Sequence, residues 1–385
     1  MSSGRGVRIA KKAGLVFAGL LVALLIGECA ARIFLPPPPN VAVVTTEQRS
    51  FEVENMELNY VPESGGLYIG SRSGLRLRPN TRAVLRRERL SRKTIEIRTN
   101  SLGYRGPEVI EREGARILFL GDSITFANYL PESETFVNRV GEMAKLEGRT
   151  WNAINAGVGT ISLGNELAIL KETGLSIDPD VVVVMFYLND FEESPGVAPI
   201  NSPRWLRWSR LAHYTAQLFA RRRHRTRDAR KAARDALNAE IKAELEGRLE
   251  VKPGNWRRDQ AALNKLIVDK SNDWGGAWSE KAWQIMRPLF VELKRLSEIH
   301  EFKLVFIATP VRYQAEAEFL DDFPQRKLAA IAKDLDVPML DLLPAHREAV
   351  KNRIRLFYDH CHHTPDGAKI AAGAITEFLL EVIEP

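Results

Sequence analysis

The chain has 385 residues, of which 45% are hydrophobic and 27% are charged. This is ordinary globular composition, and the length predicts two or three domains with a sizeable core. The sequence contains no fixed-period repeat and no low-complexity tract beyond a short proline run, which excludes repeat architectures. The two cysteines, Cys29 and Cys361, are too few for a disulfide framework, and we expect no disulfide.

An apolar segment begins directly after the first basic residues. Residues 13–27 carry no charge, and as a helix they would span about 22 Å, which is short of a full hydrocarbon core. The span reaches Leu35 only if Glu28 and Arg32 extend their charged groups to the interface. Both a cleaved signal peptide and an uncleaved signal anchor fit this pattern. The poor cleavage site around Ala31 favours the anchor.

The basic residues predict how this segment crosses the membrane. Four of them lie in residues 1–12, which predicts a cytoplasmic tail there, a single-pass anchor at 13–35 in the inner (cytoplasmic) membrane, and a periplasmic remainder. The proline-rich residues 36–40 would form a stiff spacer. The net charge is +6, and much of the basic excess lies at 204–235. An extracytoplasmic location argues against nucleic acid as the partner of that cluster.

The remainder of the chain shows two organisations. Residues 36–115 form a linker and pre-domain with one plausible strand at 94–98. From residue 116 apolar strands alternate with helical stretches, which predicts an α/β domain with a parallel, doubly wound sheet. The predicted strands are 117–120, 152–156, 181–188, 303–311 and 337–343, and a closing helix covers 366–383.

A long segment interrupts this alternation. Over a hundred residues separate Asn189 from the strand at 303, far more than a crossover needs. About 200–285 is rich in Arg, Lys, Ala and Trp and predicts a helical insertion near the mouth of the site. A solvated helical face, a membrane-surface patch and a contact with an acidic polymer all remain open. Its tryptophans suit sugar stacking or a membrane interface as well as core packing: Trp205, Trp208, Trp256, Trp274, Trp278 and Trp283.

The first predicted strand ends in a serine. Residues 116–126 read RILFLGDSITF, and Gly121 permits a tight turn after the strand. Ser123 would then open the next helix, where free backbone N–H groups point outward. Asp122 or Ser123 can equally be an ordinary helix N-cap. A nucleophilic serine therefore needs partners elsewhere in the chain.

Two later strand ends carry residues that suit an oxyanion hole. NAGVG at 155–159 has glycines that allow close backbone approach, so a free N–H can face a developing oxyanion. FYLND at 186–190 ends the most apolar strand and places Asn189 where its amide can donate into the same crevice. In isolation, Asn189-Asp190 also fits a helix cap or a turn.

The stretch YDHCHHTPDG at 358–367 supplies a carboxylate and an imidazole. Asp359 and His362 are three residues apart, so a helical turn would put them on one side, where the carboxylate orients one imidazole nitrogen and the other faces the serine. The histidines and Cys361 could also bind metal. Their nearly contiguous spacing argues against chelation, and we expect no metal.

Together these stretches resemble the SGNH hydrolase family, also called GDSL esterases and lipases. GDS at 121–123 matches the first block, NAGVG the second, LND at 188–190 the third and D-x-x-H at 359–362 the fourth, in the family's chain order. The match covers residues 117–380, and RTNSLGYRGPE before it looks like membrane-anchored bacterial members. The resemblance implies an SGNH hydrolase domain over 116–385 with a flavodoxin-like doubly wound sheet.

Two positions depart from the family pattern. The third block usually has glycine two residues before its asparagine, and here that residue is Tyr187, which we expect to narrow the pocket. In the second block the oxyanion glycine aligns with either Gly159 or Thr160, and a backbone N–H serves from either residue. Neither GxSxG nor HExxH occurs, which excludes the α/β-hydrolase and zincin alternatives.

The resemblance implies an extracytoplasmic serine esterase that cleaves acyl esters, with acetyl as the favoured acyl group. Ser123, His362 and Asp359 would form the catalytic triad, and Ser123, Gly159 and Asn189 would supply the oxyanion hole. No metal or diffusible cofactor is required. Acylated polysaccharides and lipids are the expected substrates.

Two alternative functions remain open. A sugar hydroxyl that replaces water as the acyl acceptor would make the protein an O-acetyltransferase modifying an envelope polysaccharide, and pocket shape and water exclusion decide between the two. A non-catalytic scaffold of an envelope-polymer complex would keep the same fold. The four intact side chains argue against the scaffold, because a decayed site would be expected to lose at least one of them: Ser123, Asn189, Asp359 and His362.

Overall fold

The computed structural model describes residues 3–34, 50–53, 67–71, 74–85, 88–109, 114–191, 209–212, 215 and 225–383. The chain divides into two compact units. The first unit consists of Met1–Val41 and Pro199–Arg230, and the second of Ala42–Ala198 and Lys231–Pro385. The second unit contains every strand described below.

The first unit is built on helix α1 (Ser3–Phe34). Its segment Gly14–Phe34 is long and apolar enough to cross a membrane, and 6% of it is buried inside the protein. Large apolar side chains such as Phe17 and Leu25 point away from the protein. This segment coincides with the apolar stretch that the sequence indicates at 13–35.

Five short strands precede the main sheet: β1 (Ser50–Val53), β2 (Tyr68–Ser71), β3 (Gly74–Leu77), β4 (Arg82–Leu85) and β5 (Ile95–Arg98). β4 pairs with β1 in parallel and with β5 antiparallel, while β2 and β3 form an antiparallel pair. Ile95 and Ile97 alternate inward along β5, as a half-buried strand requires, and join the same hydrophobic core as the main sheet.

The main sheet has five parallel strands: β6 (Ala115–Gly121), β7 (Trp151–Asn155), β8 (Val181–Phe186), β9 (Lys303–Ala308) and β10 (Met339–Asp341). Their spatial order is β7-β6-β8-β9-β10, which is the flavodoxin-like order 2-1-3-4-5. Every residue of β8 is buried, because a parallel sheet is covered on both faces. The predicted doubly wound parallel sheet is confirmed.

Helices cover both faces of this sheet. In chain order after α1 the helices are α2 (Ser123–Phe126), α3 (Phe136–Leu146), α4 (Leu163–Ile169), α5 (Arg225–Arg248), α6 (Gln260–Asp269), α7 (Glu280–Ile299), α8 (Arg312–Glu316), α9 (Phe323–Asp334), α10 (Leu343–Lys351) and α11 (Pro365–Ile383). Right-handed crossovers place α3 and α11, which pack against each other, on one face, and α4, α7 and α9 on the opposite face. The predicted closing helix is α11.

The described part of the predicted insertion is helical. α7 begins at Glu280, before the predicted end of the insertion near 285, and packs on the sheet through ring contacts of Trp283 with Phe186 at 5.2 Å and Phe290 with Phe306 at 5.0 Å. α7 is thus the sheet's own crossover helix.

The tryptophans of the insertion fall into three groups. Trp274, Trp278 and Trp283 are buried in the core, so core packing accounts for them. Trp256 is half-buried against that core. Trp205 and Trp208 lie outside the described residues.

Candidate active site

The turn after β6 holds Ser123 at the carboxyl edge of the sheet. A Cβ atom at Gly121 would lie 2.1 Å from the Thr125 hydroxyl oxygen, so only glycine allows the chain to turn this tightly. Asp122 caps α2 by accepting the Ile124 N–H at 2.8 Å. The ordinary N-cap expected here is therefore Asp122. Ser123 is the first residue of α2 and is half-buried.

Ser123, His362 and Asp359 form one hydrogen-bonded array. The Ser123 Oγ lies 3.0 Å from the His362 Nε2, and the His362 Nδ1 lies 2.8 Å from the Asp359 Oδ2. The serine and the histidine are 239 positions apart in the chain. A hydroxyl, an imidazole and a carboxylate thus lie in the spatial order that acyl transfer by a serine would require.

The loop before α11 brings Asp359 and His362 together. Their spacing in the sequence suggests a helical turn, but the loop does not form one. The second carboxylate oxygen, Oδ1, accepts the N–H groups of Cys361 at 3.0 Å and His362 at 2.9 Å. The Tyr358 N–H donates to the His362 carbonyl at 2.8 Å and closes the turn. Asp and Asn favour such side chain to backbone turns, which place the carboxylate beside the imidazole with little freedom.

These contacts also determine the charge of Asp359. Burial alone would raise the pKa of this carboxyl. The hydrogen bond and charge of His362, with the N–H groups of Cys361 and His362, outweigh burial and hold the pKa well below its ordinary value. Asp359 is therefore ionised throughout the neutral range and can stabilise an imidazolium at His362.

The NAGVG segment follows β7, the neighbour of β6. A Cβ atom at Gly157 would lie 2.3 Å from the Phe126 backbone nitrogen, so the segment passes directly against α2. Gly159 is buried, and its N–H makes no hydrogen bond among the described residues. Thr160, the other candidate, has a left-handed backbone with φ of 63° and bonds the Gly159 carbonyl through its hydroxyl at 2.6 Å.

Asn189 follows β8, the neighbour of β6 on its other side. It lies in a turn that is closed by the Tyr187 N–H, which donates to the Asp190 carboxylate at 2.9 Å, and tied to α4 by the Leu163 N–H, which donates to the Asp190 carbonyl. The Asn189 side-chain oxygen is buried without a hydrogen-bond partner in the described part of the chain. Gly159 and Asn189 therefore follow the two strands that flank the strand of Ser123.

Tyr187, which we expected to narrow the pocket, is fully buried. Burial, with the nearby Cys361 thiol, raises the pKa of its hydroxyl well above the ordinary value. The Tyr187 side chain thus lies in the interior, close to Cys361 and Asp122, and does not project from the surface.

Arg105 was not singled out by the sequence analysis, although it lies in the RTNSLGYRGPE stretch. Its buried guanidinium donates to the carbonyls of Phe126 and Ala127 and to that of Leu130, each at 2.6 Å. Burial lowers its pKa to about 10, so it remains charged at neutral pH. Arg105 therefore holds in place the loop that follows α2, the helix that begins with Ser123. No local sequence signal marks an arginine for this role.

Tyr129 is the second residue that sequence reasoning missed. It sits in the loop that Arg105 holds, and its ring meets that of His362 edge-on with 4.9 Å between centroids. Its hydroxyl oxygen accepts the His363 N–H. The loop held by Arg105 thereby supports His362 as well as Ser123.

Three carboxyl groups are buried behind the serine: Asp122, Glu166 and Asp190. Burial raises the pKa of Asp122, and it raises the pKa values of Glu166 and Asp190 well above their ordinary range. The three negative charges would repel one another, which adds to these shifts.

Asp359, Cys361 and His362 bring three potential metal-ligand atoms within 4.8 Å of one another. The His362 Nδ1 and the Asp359 carboxylate are already bonded to each other, so an ion there would compete with that bond. Burial raises the pKa of the Cys361 thiol well above its ordinary value, which keeps it protonated at neutral pH and unreactive as a competing nucleophile.

Comparisons with known proteins were made on sequence and on structure. No protein-family model matches the chain. No curated protein matches it at a significant level.

Several solved structures are similar in fold. The acetyl xylan esterase AlAXEase is 15% identical, with coverage of 68% of this chain and 98% of its own and a TM-score of 0.39. Axe2, an acetylxylan esterase from Geobacillus stearothermophilus, is 16% identical, with coverage of 69% and 94% and a TM-score of 0.39. A two-domain esterase (CEX) active on acetylated mannans is 16% identical, with coverage of 70% and 50% and a TM-score of 0.40.

At these identities and TM-scores the similarity carries no argument about this chain. The fold is established by the strand order of its own sheet. The reaction proposed below rests on the geometry of this chain's own site.

Proposed function

We propose that this protein is a serine esterase of the SGNH type that cleaves acyl esters through a covalent acyl-enzyme. The observation that carries the proposal is the continuous array from the Ser123 hydroxyl through the His362 imidazole to the Asp359 carboxylate, with distances of 3.0 and 2.8 Å. The four sequence blocks in SGNH order support the same assignment.

The proposed reaction has two halves. The Ser123 Oγ attacks the ester carbonyl carbon while His362 Nε2 takes the hydroxyl proton. The tetrahedral intermediate then collapses, and the leaving alcohol takes that proton from His362. In the second half, water gives a proton to His362 and attacks the acyl carbon, and the carboxylic acid leaves as Ser123 recovers its proton. Asp359 holds the histidine tautomer and stabilises the imidazolium in both halves.

The oxyanion would be held by the Ser123 N–H, the Gly159 N–H and the Asn189 side-chain amide. The unpartnered Gly159 N–H and the position of Asn189 beside the strand of Ser123 support this assignment. Donors that are free before the substrate arrives need no rearrangement when negative charge develops.

We propose acetyl as the acyl group and an acylated polysaccharide or lipid of the cell envelope as the substrate. The buried Tyr187 side chain occupies space close to Cys361 and Asp122, where a smaller residue would leave room for a longer acyl chain. We also propose that α1 is an uncleaved anchor in the inner membrane, with residues 1–12 in the cytoplasm and the catalytic unit outside. The exposed apolar surface of α1 supports the anchor, and the basic residues before it support the orientation.

The test compares the full-length protein with Ser123→Ala. We expect wild type to release p-nitrophenol from p-nitrophenyl acetate and to react with a fluorophosphonate, and Ser123→Ala to do neither. Ser176→Ala is the matched control, because Ser176 is exposed and, among the described residues, its hydroxyl bonds the Thr173 carbonyl alone. Equal turnover in wild type and Ser123→Ala would overturn the proposal.

The same assay separates an esterase from a transferase. We expect the rate of p-nitrophenol release to be unaffected by a hydroxyl-bearing polysaccharide acceptor. Transfer of the acetyl group to that acceptor would instead establish an O-acetyltransferase. No turnover combined with no labelling would establish the non-catalytic scaffold.

A further inference from the structure

Glu28 is the feature of α1 that its membrane role does not explain. An ionised carboxylate in an apolar segment is costly unless it is paired and hydrogen-bonded. The Arg32 guanidinium, one turn later, pairs with it at 2.7 Å. The Arg32 side chain is half exposed, but that of Glu28 is only 16% exposed, so further groups must cover the carboxylate.

Those groups come from residues 209–212, in the part of the predicted insertion that belongs to the same compact unit. The Ser209 hydroxyl donates to Glu28 at 2.7 Å, and the N–H groups of Arg210 and Leu211 donate at 3.1 and 3.0 Å. The Arg210 guanidinium donates in turn to the Arg32 carbonyl at 2.7 Å. Glu28 thus receives three hydrogen bonds from one short segment far away in sequence.

Apolar packing reinforces these bonds. A Cβ atom at Gly27 would lie 3.0 Å from a Leu211 methyl group, so the glycine allows the segment to approach the helix closely. Ala31, one turn further on, is buried, in contrast to the exposed apolar side chains earlier in α1. One turn of α1, residues 27–32, is therefore a docking surface for residues 209–212.

This turn lies at the end of the uncharged part of α1. Residues 13–27 would cross about 22 Å of hydrocarbon, and Glu28 is the first charged residue after them. In a membrane the docked segment would lie at the boundary between hydrocarbon and headgroups. The sequence around it, RWLRWSRLAHYTAQLFARRRHR at 204–225, mixes arginines with Trp, Tyr and Phe, the composition of segments that bind at that boundary.

We propose that residues 209–212 dock on the C-terminal end of the membrane anchor through Glu28, and that this docking holds Arg210 and Thr215 at the headgroup layer of the same bilayer. The inference rests on the proposed membrane anchor. It selects the membrane surface, over a solvated face or an acidic polymer, as the role of this part of the insertion.

The docking is tested by cross-linking in the full-length protein reconstituted into lipid vesicles. In a Cys29→Ser background, Gly27→Cys with Leu211→Cys should be joined by a short bismaleimide. Leu20→Cys with Leu211→Cys is the matched control, because Leu20 lies on the same face of α1 about 10 Å earlier. We expect cross-linking only in the first pair, and Glu28→Ala should reduce its yield about tenfold, since a bond to a charged group contributes about 1.5 kcal/mol or more. Equal yields in the two pairs would overturn the docking.

The partner is tested with an environment-sensitive fluorophore on Thr215→Cys, an exposed position just after the docked segment. We expect lipids that carry a headgroup-level nitroxide to quench the label, more strongly in anionic vesicles than in phosphatidylcholine vesicles, and less in Glu28→Ala. A label that only an added acidic polysaccharide affects would overturn the membrane assignment. Neither readout uses turnover, so failure here is distinct from failure of the proposed esterase.

Discussion

Asn189 shows how a single side chain is prepared by its surroundings. Its turn is closed by Asp190, and its amide oxygen is buried without a partner in the described part of the chain. The side-chain NH2 group also makes no hydrogen bond within the described residues, so it is the donor available to a substrate oxyanion. If Asn189 were a turn residue with no further role, the same turn would form, and replacing Asn189 would cause no catalytic defect.

Replacement of Asn189 separates these interpretations. We expect Asn189→Ala to lower kcat about 100- to 1000-fold, the usual effect of losing one oxyanion donor, with little change in KM, because the bound ester carries no oxyanion and the charge develops only as the tetrahedral intermediate forms. Steady-state kinetics on p-nitrophenyl acetate provides the measurement. Asn352→Ala, at an exposed asparagine, is the matched control and should match wild type. A mild effect on kcat, no larger than that of the control, would remove Asn189 from the oxyanion hole.

At the scale of the elements, the site depends on the close contact between the loop after β7 and α2. The Gly157 N–H is bonded to the Asn155 side chain at 3.0 Å, and its Cα faces the Phe126 backbone. Asn155 also donates to the Thr125 carbonyl at 2.8 Å. Helix α2 is thus held by Asn155 at the end of β7 and by Arg105, whose own N–H donates to the Asn155 carbonyl at 3.0 Å.

A pair of glycine substitutions tests this contact. Gly157→Ala forces a methyl group into the α2 backbone, and we expect it to cost about 1–3 kcal/mol of stability and to lower kcat by more than tenfold as Ser123 shifts. Gly141→Ala, inside α3, meets only ordinary contacts at 3.6 Å or more and should gain about 0.5–1 kcal/mol with unchanged kcat. Urea unfolding and kinetics on both variants provide the check. Equal effects of the two substitutions would contradict the proposed contact.

The predicted elements agree with the observed ones in kind and order and differ at their ends. The apolar run at 181–188 continues past the end of β8 at Phe186, because Tyr187 and Leu188 are buried in a turn and not in the sheet. Apolar runs and periodicity in a sequence indicate which residues are buried. Residues just beyond the last hydrogen-bonded pair of a strand are also buried, so the predicted strand extends too far.

At the scale of the whole molecule, we expect a pair of buried histidines to set how far the free energy of unfolding falls at acidic pH. The His346 Nδ1 donates to the Leu342 carbonyl at 2.7 Å, so its Nε2 accepts from the His363 Nε2, 2.8 Å away. Both rings are therefore neutral. Burial lowers the pKa of His346 from 6.5 to about 4, and burial with the neighbouring ring lowers that of His363 well below its ordinary value.

The sign of the pH effect follows from these directions. Because the folded pKa values lie below the unfolded ones, the unfolded state binds more protons as pH falls, so stability is full above about 6.5 and is lost toward pH 4. The His346 shift alone corresponds to about 3 kcal/mol. We expect urea midpoints to fall between pH 6.5 and 4, and to fall less steeply in His346→Gln. His300→Gln, at an exposed position, should follow wild type, and parallel curves for all three proteins would contradict the prediction.

The sequence by itself determined the features of the protein that depend only on residues close together in the chain. The fold class follows from apolar strands separated by helical stretches. The positions of Ser123 and Asn189 follow from turn residues at strand ends, and that of Asp359 from the turn-rich stretch before the closing helix. The grouping of these residues into one site came from their resemblance to a family, because no local property joins residues 239 positions apart.

Only the tertiary structure decided the contacts that distant segments make. The Arg105 hydrogen bonds, the His346–His363 pair and the three hydrogen bonds on Glu28 each depend on where another segment's backbone or ring lies. A buried arginine looks the same in sequence as an exposed one, since the cost of burying its charge is offset by carbonyls from a different part of the chain. The Arg105 and histidine contacts exist only once the strand order has brought their segments together, and the Glu28 contacts only once residues 209–212 have packed on α1.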